Sequence, residues 1–351
     1  DFTRYFTNII ADRIAITLAL EADRMANLLL REEDFTTERM VVVEERRLRT
    51  EDNPQAYLSE QLDAAAFQIQ PYHWPVIGWM EDLKGLTLSD VKDHYRRFYN
   101  PSNAFIVVAG AFKGEQLLPE IERAFGAIPK GSAPERRSFS EQPQAGERRL
   151  IVKREAFQPA IVTAYHVPKA PHPDSYALEV LESLLSGGKS SRFYRSLVRG
   201  KRICLSADAH NSFLSVDPSL FYLSAEPLPG IPMEEVEKAL EEEIRKVQTE
   251  LADASELDRV INAVEANFIY GQDSLFSQAM ILARYEIALG WRAIDDYLPL
   301  VRRVTPEDVR RVAVRYLQPD NRTAGILVPL PPKPGSNLST GAGPEEPAKG
   351  R

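Results

Sequence analysis

The sequence predicts an α+β protein made of two similar domains, each a mainly antiparallel sheet with helices packed on it. Three observations lead there. Segments of helical periodicity alternate with short apolar or alternating stretches, one residue pattern occurs twice at a fixed separation, and an aperiodic stretch divides the two copies.

The repeat is explicit. LTLSDVKDHYRRFYNPSNA, from Leu86, matches VTPEDVRRVAVRYLQPDNR, from Val304. Thr87 pairs with Thr305, Asp90 with Asp308, Val91 with Val309, Pro101 with Pro319 and Asn103 with Asn321, always 218 residues apart. The same offset carries Leu18 to Val236, Leu29 to Val247 and Glu38 to Glu256. Matches at one constant offset mark a duplicated domain. The second copy begins near Arg148, so the matching start of the first falls about seventy residues before Asp1. The first domain is therefore expected to be incomplete at its N-terminus. A chain opening on Asp1, with neither an initiating Met nor a signal-peptide pattern, carries the same expectation.

In chain order, residues 1–9 alternate like a strand, and Ile14, Leu18, Met25 and Leu28 space a helix over 11–30. A helix over 33–51 ends at Asp52-Asn53-Pro54, and another runs from Pro54 through Phe67. The turn-rich QPYHWPVIGWMEDLKG follows, then a helix over 87–99, an apolar strand over 104–109 and a helix over 116–125. Strands are expected near 148–154, 159–167, 202–213, 219–226 and 323–328, with a helix over 174–185, a short helix ending near Val198, and four or five helices between Met233 and Leu317. The boundaries this gives are a first domain over 1–126, a linker over 127–147, a second domain over 148–330 and a Pro/Gly/Ser-rich disordered tail over 331–351.

Composition bounds the function. Of 351 residues, 44% are hydrophobic and 27% charged, as in a globular protein long enough for two cores. A net charge of -8 offers nucleic acid no basic surface. The longest apolar run, 104–112, is too short to span a bilayer. The single cysteine, Cys204, excludes an internal disulfide and reads as a small buried residue.

The stretch with most chemistry is ERMVVVEERRLRTEDNP, from Glu38. Met40, Val41, Val43 and Leu48 mark an apolar side of its helix, while Glu38 and Glu45, two turns apart, share a face. Taken alone, such a pair is also what a solvated face carries. The repeat sharpens it: Glu38 maps to Glu256, but Glu45 maps to Ala263. That is what one binding half and one wall would show. Elsewhere HExxH, HxxEH, a phosphate loop and GxSxG are absent from the sequence. SGGKSS reads as a helix–helix turn, and His73 as a packed or exposed loop residue rather than a ligand.

ADRIAITLALEADRMANLL, FTTERMVVVEERRLRTEDNP, PYHWPVIGWMEDL, YRRFYNPSNAFIVVAGAF and GGKSSRFYRSL together resemble the pitrilysin/insulinase family of zinc peptidases, over residues 1–330. The likeness is to its bacterial and mitochondrial-processing-peptidase branch. The resemblance implies two α+β domains of one fold and metal-assisted hydrolysis of unfolded peptides inside a clamshell. By the family's ERxxxxxE pattern, Glu45 resembles the third zinc ligand and Glu38 a carboxylate supporting the site. The HxxEH helix, with the general base, would precede Asp1, so the chain as given is expected to bind no Zn2+ and to be inactive alone, while the intact protein would bind it. The family's second-domain Arg/Tyr pair is replaced here by Val198 and Leu205. The resemblance thus implies the zinc-carrying member of a heterodimer, its partner a homologous subunit supplying that pair. The alternative is a non-catalytic scaffold or peptide-binding subunit. A periplasmic site is expected by resemblance, with the cytoplasm as the alternative.

Overall fold

A computed structural model describes residues 1–137 and 139–331. The tail expected over 331–351 falls, from 332 on, outside the described residues. Helices α1 (Ile14–Asn27), α2 (Glu32–Arg46), α3 (Pro54–Ala66), α4 (Met80–Gly85), α5 (Leu88–Phe98) and α6 (Gly114–Phe125) fill the first part. Strands β1 (Arg148–Glu155) and β2 (Ala160–Val167), helix α7 (Pro173–Ser186), and strands β3 (Cys204–Asn211) and β4 (Ser219–Pro227) follow. Helices α8 (Met233–Thr249), α9 (Ala254–Tyr270), α10 (Leu275–Ala288), α11 (Ile294–Val301) and α12 (Pro306–Tyr316) lead to strand β5 (Arg322–Leu330).

The duplication reappears as identical local chemistry. Thr87 accepts from Asp90 N and Asp90 from Thr87 N, a capping box that starts α5; Thr305 and Asp308 do the same for α12. Asn103 then donates to the Phe98 carbonyl, and Asn321 to the Tyr316 carbonyl. Each helix thus begins and ends on the same side chains.

Two compact units result. The first gathers 1–43, 78–137 and 267–294; the second gathers 44–77, 139–266 and 295–331. The division does not follow chain order, because residues 44–77, including α3, cluster with the later half of the chain.

In the second unit a five-stranded sheet has the order β1-β5-β2-β4-β3, antiparallel except for the β1–β5 pair. Helix α3 lies on it. Leu58 packs with Val152, Ala160 and Leu327, and Leu62 with Ala66, Phe67, Ala164 and Leu220. Residues of the other parity, Ile161, Phe221, Leu223 and Ala324, are buried too, and α7, α8 and α12 also pack on the sheet. A sheet covered on both faces explains why β2 and β4 read as nearly continuous apolar runs.

The first unit buries little: Leu18, Ala22, Leu83, Leu117 and Tyr285. Aromatic contacts hold it, with Tyr5 and Tyr99 hydroxyls 2.6 Å apart and Phe6 edge-on to Phe276. Here two sequence expectations fail. Residues 1–9 and 104–109 form no strand, and Phe105 and Ile106 are exposed. A strand is defined by its hydrogen-bonded neighbour, and among the described residues neither stretch has one. The apolar side assigned to α2 is also not buried, since Met40, Val41 and Leu48 are exposed.

At Gly325 of β5, α3 comes close: a Cβ there would lie 3.0 Å from Leu58 Cδ1 and 3.2 Å from Leu62 Cδ1. Leu62→Ala should lower the unfolding free energy by about 2–5 kcal/mol, and Gly325→Ala alone by about 1–3 kcal/mol. Combined, they should cost less than the sum, because the new methyl enters the space Leu62 vacates. Urea titration of the four proteins gives the coupling; strict additivity would show that α3 does not rest on Gly325.

Candidate functional site

The C-terminal end of α2 is fixed from below by one buried ion pair. Arg46 donates to Glu60 of α3 through both terminal nitrogens, at 2.8 and 2.9 Å, and lies 3.2 Å from Glu51. The Glu60 hydrogen bonds above all hold the guanidinium charged. Past Arg46 the helix loosens into a π turn over Arg47–Glu51. Asn53 then caps α3, accepting from the amides of Gln55 and Ala56, with Pro54 in its first turn.

Glu45, immediately before Arg46, borders a cleft of about 490 Å³. Glu60 and Asp63 of α3 line it on one side; Tyr72, His73, Trp74, Pro75, Val76 and Ile77 form an aromatic and apolar wall. Arg49 pairs with Glu45 at 3.0 Å, and Arg46 with Glu60. Among the described residues no cation pairs with the remaining acid, Asp63, whose Oδ1 accepts from the Tyr222 hydroxyl at 2.9 Å. Burial pushes Asp63 up to about 6; the Tyr222 hydrogen bond works against it, and the charge of Glu60 adds to it. Burial and the Asp63 charge together push the Tyr222 hydroxyl far above its usual range.

The structure separates the residues singled out from the sequence. Glu45 faces the cleft, whereas Glu38, on the same helix, is exposed and does not line it. His73 belongs to the wall, its Nδ1 3.0 Å from the Gln70 carbonyl and its ring 4.1 Å from that of Trp74. Val198 sits in the helical turn Tyr194–Gly200, and Leu205, on β3, is exposed; neither borders the cleft. Cys204 is buried, and burial pushes its thiol up to about 11. In the second copy Glu256 is held by Arg192, at 2.7 and 3.2 Å, and Ala263 carries no charge. Sequence reasoning missed Arg46, Glu60 and Asp63. The spacing of Glu60 and Asp63, three apart on one helix face, was the available signal.

A catalytic zinc site takes three protein donors and a water. Among the described residues no three His, Cys, Asp or Glu side chains are grouped to hold a metal. Glu45 supplies one donor at most, and no hydrolytic step follows from these residues alone.

The profile of the family described as "Peptidase M16 inactive domain" matches residues 85–264. The chain is 30% identical, over 332 residues, to the zinc protease PqqE of Helicobacter pylori, covering 94% of this chain and 74% of that protein. The chain belongs to the M16 peptidase family. A crystal structure of a protease from Helicobacter pylori superposes on this family member with a TM-score of 0.86 at 30% identity, covering 91% of this chain and 78% of that one. The periplasmic protease PqqL of Escherichia coli shares the fold, with a TM-score of 0.73 at 16% identity, over 90% of this chain and 36% of that one. No helix among the described residues is long and apolar enough to cross a membrane.

Asp63 gives the site a measurable cost. Its folded pKa is raised from 3.8 to about 6, so the folded chain holds the proton more tightly, and stability falls as pH rises from about 4 to 6. The loss is at most about 3 kcal/mol. Asp63→Asn, which keeps an acceptor for Tyr222, should melt higher than the parent at pH 8 and together with it below pH 4. Parallel melting curves at both pH values would remove the burial argument.

Proposed function

We propose that the chain forms the peptide-holding part of a zinc endopeptidase of the M16 family, with Glu45 giving one carboxylate to the metal. The observation that carries this is the position of Glu45: the acid matching the family's ligand pattern opens on the cleft, and its counterpart in the other copy is Ala263. Zn2+ bound there supplies a Lewis acid and an activated water when the remaining donors are present. The chain's own residues bind and orient. The wall from Tyr72 to Ile77 offers apolar contact to an extended peptide, and Asp63 offers an unbalanced negative charge.

In this reading a homologous subunit completes the substrate site with the Arg/Tyr pair that Val198 and Leu205 do not provide. The two close as a clamshell on an unfolded segment, in the periplasm. A second reading, a non-catalytic peptide-binding member, is favoured by the match of residues 85–264 to the inactive-domain profile.

Zinc analysis of the gene-encoded protein separates the two. The first reading expects about one zinc per chain, lost in Glu45→Gln together with hydrolysis of an unstructured peptide. Equal zinc in both proteins, or none in either, defeats it and leaves the second.

Peptide selectivity reports on Asp63. With peptides differing only in Arg against norleucine at one position, Asp63→Asn should reduce the preference for Arg about tenfold at pH 8. An unchanged ratio would mean that Asp63 does not meet the peptide.

A further inference from the structure

The wall of the cleft is fastened from outside it. The backbone N–H groups of Gln68, Ile69 and Gln70 converge on one carboxylate. Glu141 Oε1 accepts from Gln68 at 2.7 Å, and Oε2 accepts from Ile69 at 2.9 Å and Gln70 at 3.0 Å. Three successive amides around one anion make a nest of the kind that binds phosphate elsewhere, filled here by a side chain. Burial works against the charge on Glu141, but the three amides, with the neighbouring His166, hold the carboxyl below its ordinary range.

The fastening continues along the loop. Gln70, almost fully buried, accepts from the Tyr72 amide at 2.6 Å through its side-chain oxygen. The Tyr72 hydroxyl accepts from the amides of Val216 and Asp217 at 3.1 and 3.2 Å.

What is held in this way is apolar and exposed. Trp74 is 54% exposed and Val76 fully so, and both border the cleft. An untethered surface loop of this composition would turn its indole out of water. A loop held open by a carboxylate and a hydroxyl instead keeps apolar contacts ready for a ligand, without ordering them anew at each binding event.

We infer that Glu141 is a positioning residue: its carboxylate, in the segment between the two repeats, holds the 68–77 loop in the shape that receives a peptide. Glu141 does not border the cleft and acts through the loop alone. The inference rests on the peptide-binding reading of the cleft, which its test keeps separate.

The test uses Glu141→Gln, which keeps the size and loses the charge, Glu141→Ala, and Glu141→Asp as the conservative variant. Each is made in a Trp79→Phe, Trp291→Phe background, so that Trp74 is the only indole. Acrylamide quenching of Trp74 should rise in Gln and more in Ala, with Asp returning part of the way and the melting curve of Gln close to the parent's. Affinity for a fluorescein-labelled unstructured decapeptide should fall about tenfold in Gln, as expected for losing charge-assisted bonds. In the gene-encoded enzyme the loss should appear in KM with kcat unchanged. Unchanged Trp74 quenching in Gln and Ala overturns the inference. So does peptide affinity that stays at the parent's value while quenching rises. A parent that binds no peptide, with quenching that still rises, upholds the latch and sinks the peptide reading instead.

Discussion

The ion pair between Arg46 and Glu60 sets the geometry of the cleft. Taking both charges out of water costs several kcal/mol each, returned only where the geometry is close to ideal. Two parallel bonds of 2.8 and 2.9 Å, with Glu51 at 3.2 Å, meet that condition. Arg46 directly follows Glu45, and Glu60 lies one turn before Asp63. The pair therefore fixes how far the acid at the end of α2 stands from the acid on α3. The apolar side of α3 is in turn fixed by Leu58, Leu62 and Ala66 packed against the sheet. An apolar replacement of the pair could hold the two helices together, but it would not fix their rotation.

The duplication keeps the scaffold in both copies but not these charges, since Arg46 maps to Val264 and Glu60 to Gln278. The capping boxes of α5 and α12 and the Asn103 and Asn321 hydrogen bonds are preserved, because they define where helices start and stop. The acids are not preserved alike. Glu256 is satisfied by Arg192, and Ala263 has replaced the counterpart of Glu45. Shared scaffold with divergent chemistry is how function is grafted on a fold.

Much of the scaffold was legible in the sequence, because caps and periodicity are local. The strands from Arg148 to Leu330 and the helix α7 fall within a few residues of their expected limits, and α8 to α12 fill the stretch expected to hold four or five helices. Residues 1–9 and 104–109 misled, because alternation and apolarity give strand propensity but not a partner. Met40, Val41 and Leu48 misled for a related reason: helical spacing gives a face without saying what covers it. Glu45, expected from its family pattern, borders the cleft, whereas Asp63 and Glu141 were not singled out. Their roles depend on Tyr222 and on the amides of Gln68 to Gln70, partners 159 and 71 to 73 residues away. No short-range pattern encodes such contacts.

Two unfavourable features lie at one cleft, a half-buried acid with no cation partner among the described residues and an exposed indole, and beside them a backbone nest is closed by a carboxylate from a distant segment. Each alone could be incidental. Local choices in a folded chain otherwise agree with its stability, and departures gather where binding requires them. The apolar contact between α3 and the sheet carries no such conflict, with Leu58 and Leu62 wholly buried. A core that satisfies stability and a rim that does not are what a rigid platform for a flexible ligand requires. In the proposed reading the apolar wall would give contact area, the acid selectivity, and the nest would remove the ordering cost that a mobile loop adds to every encounter.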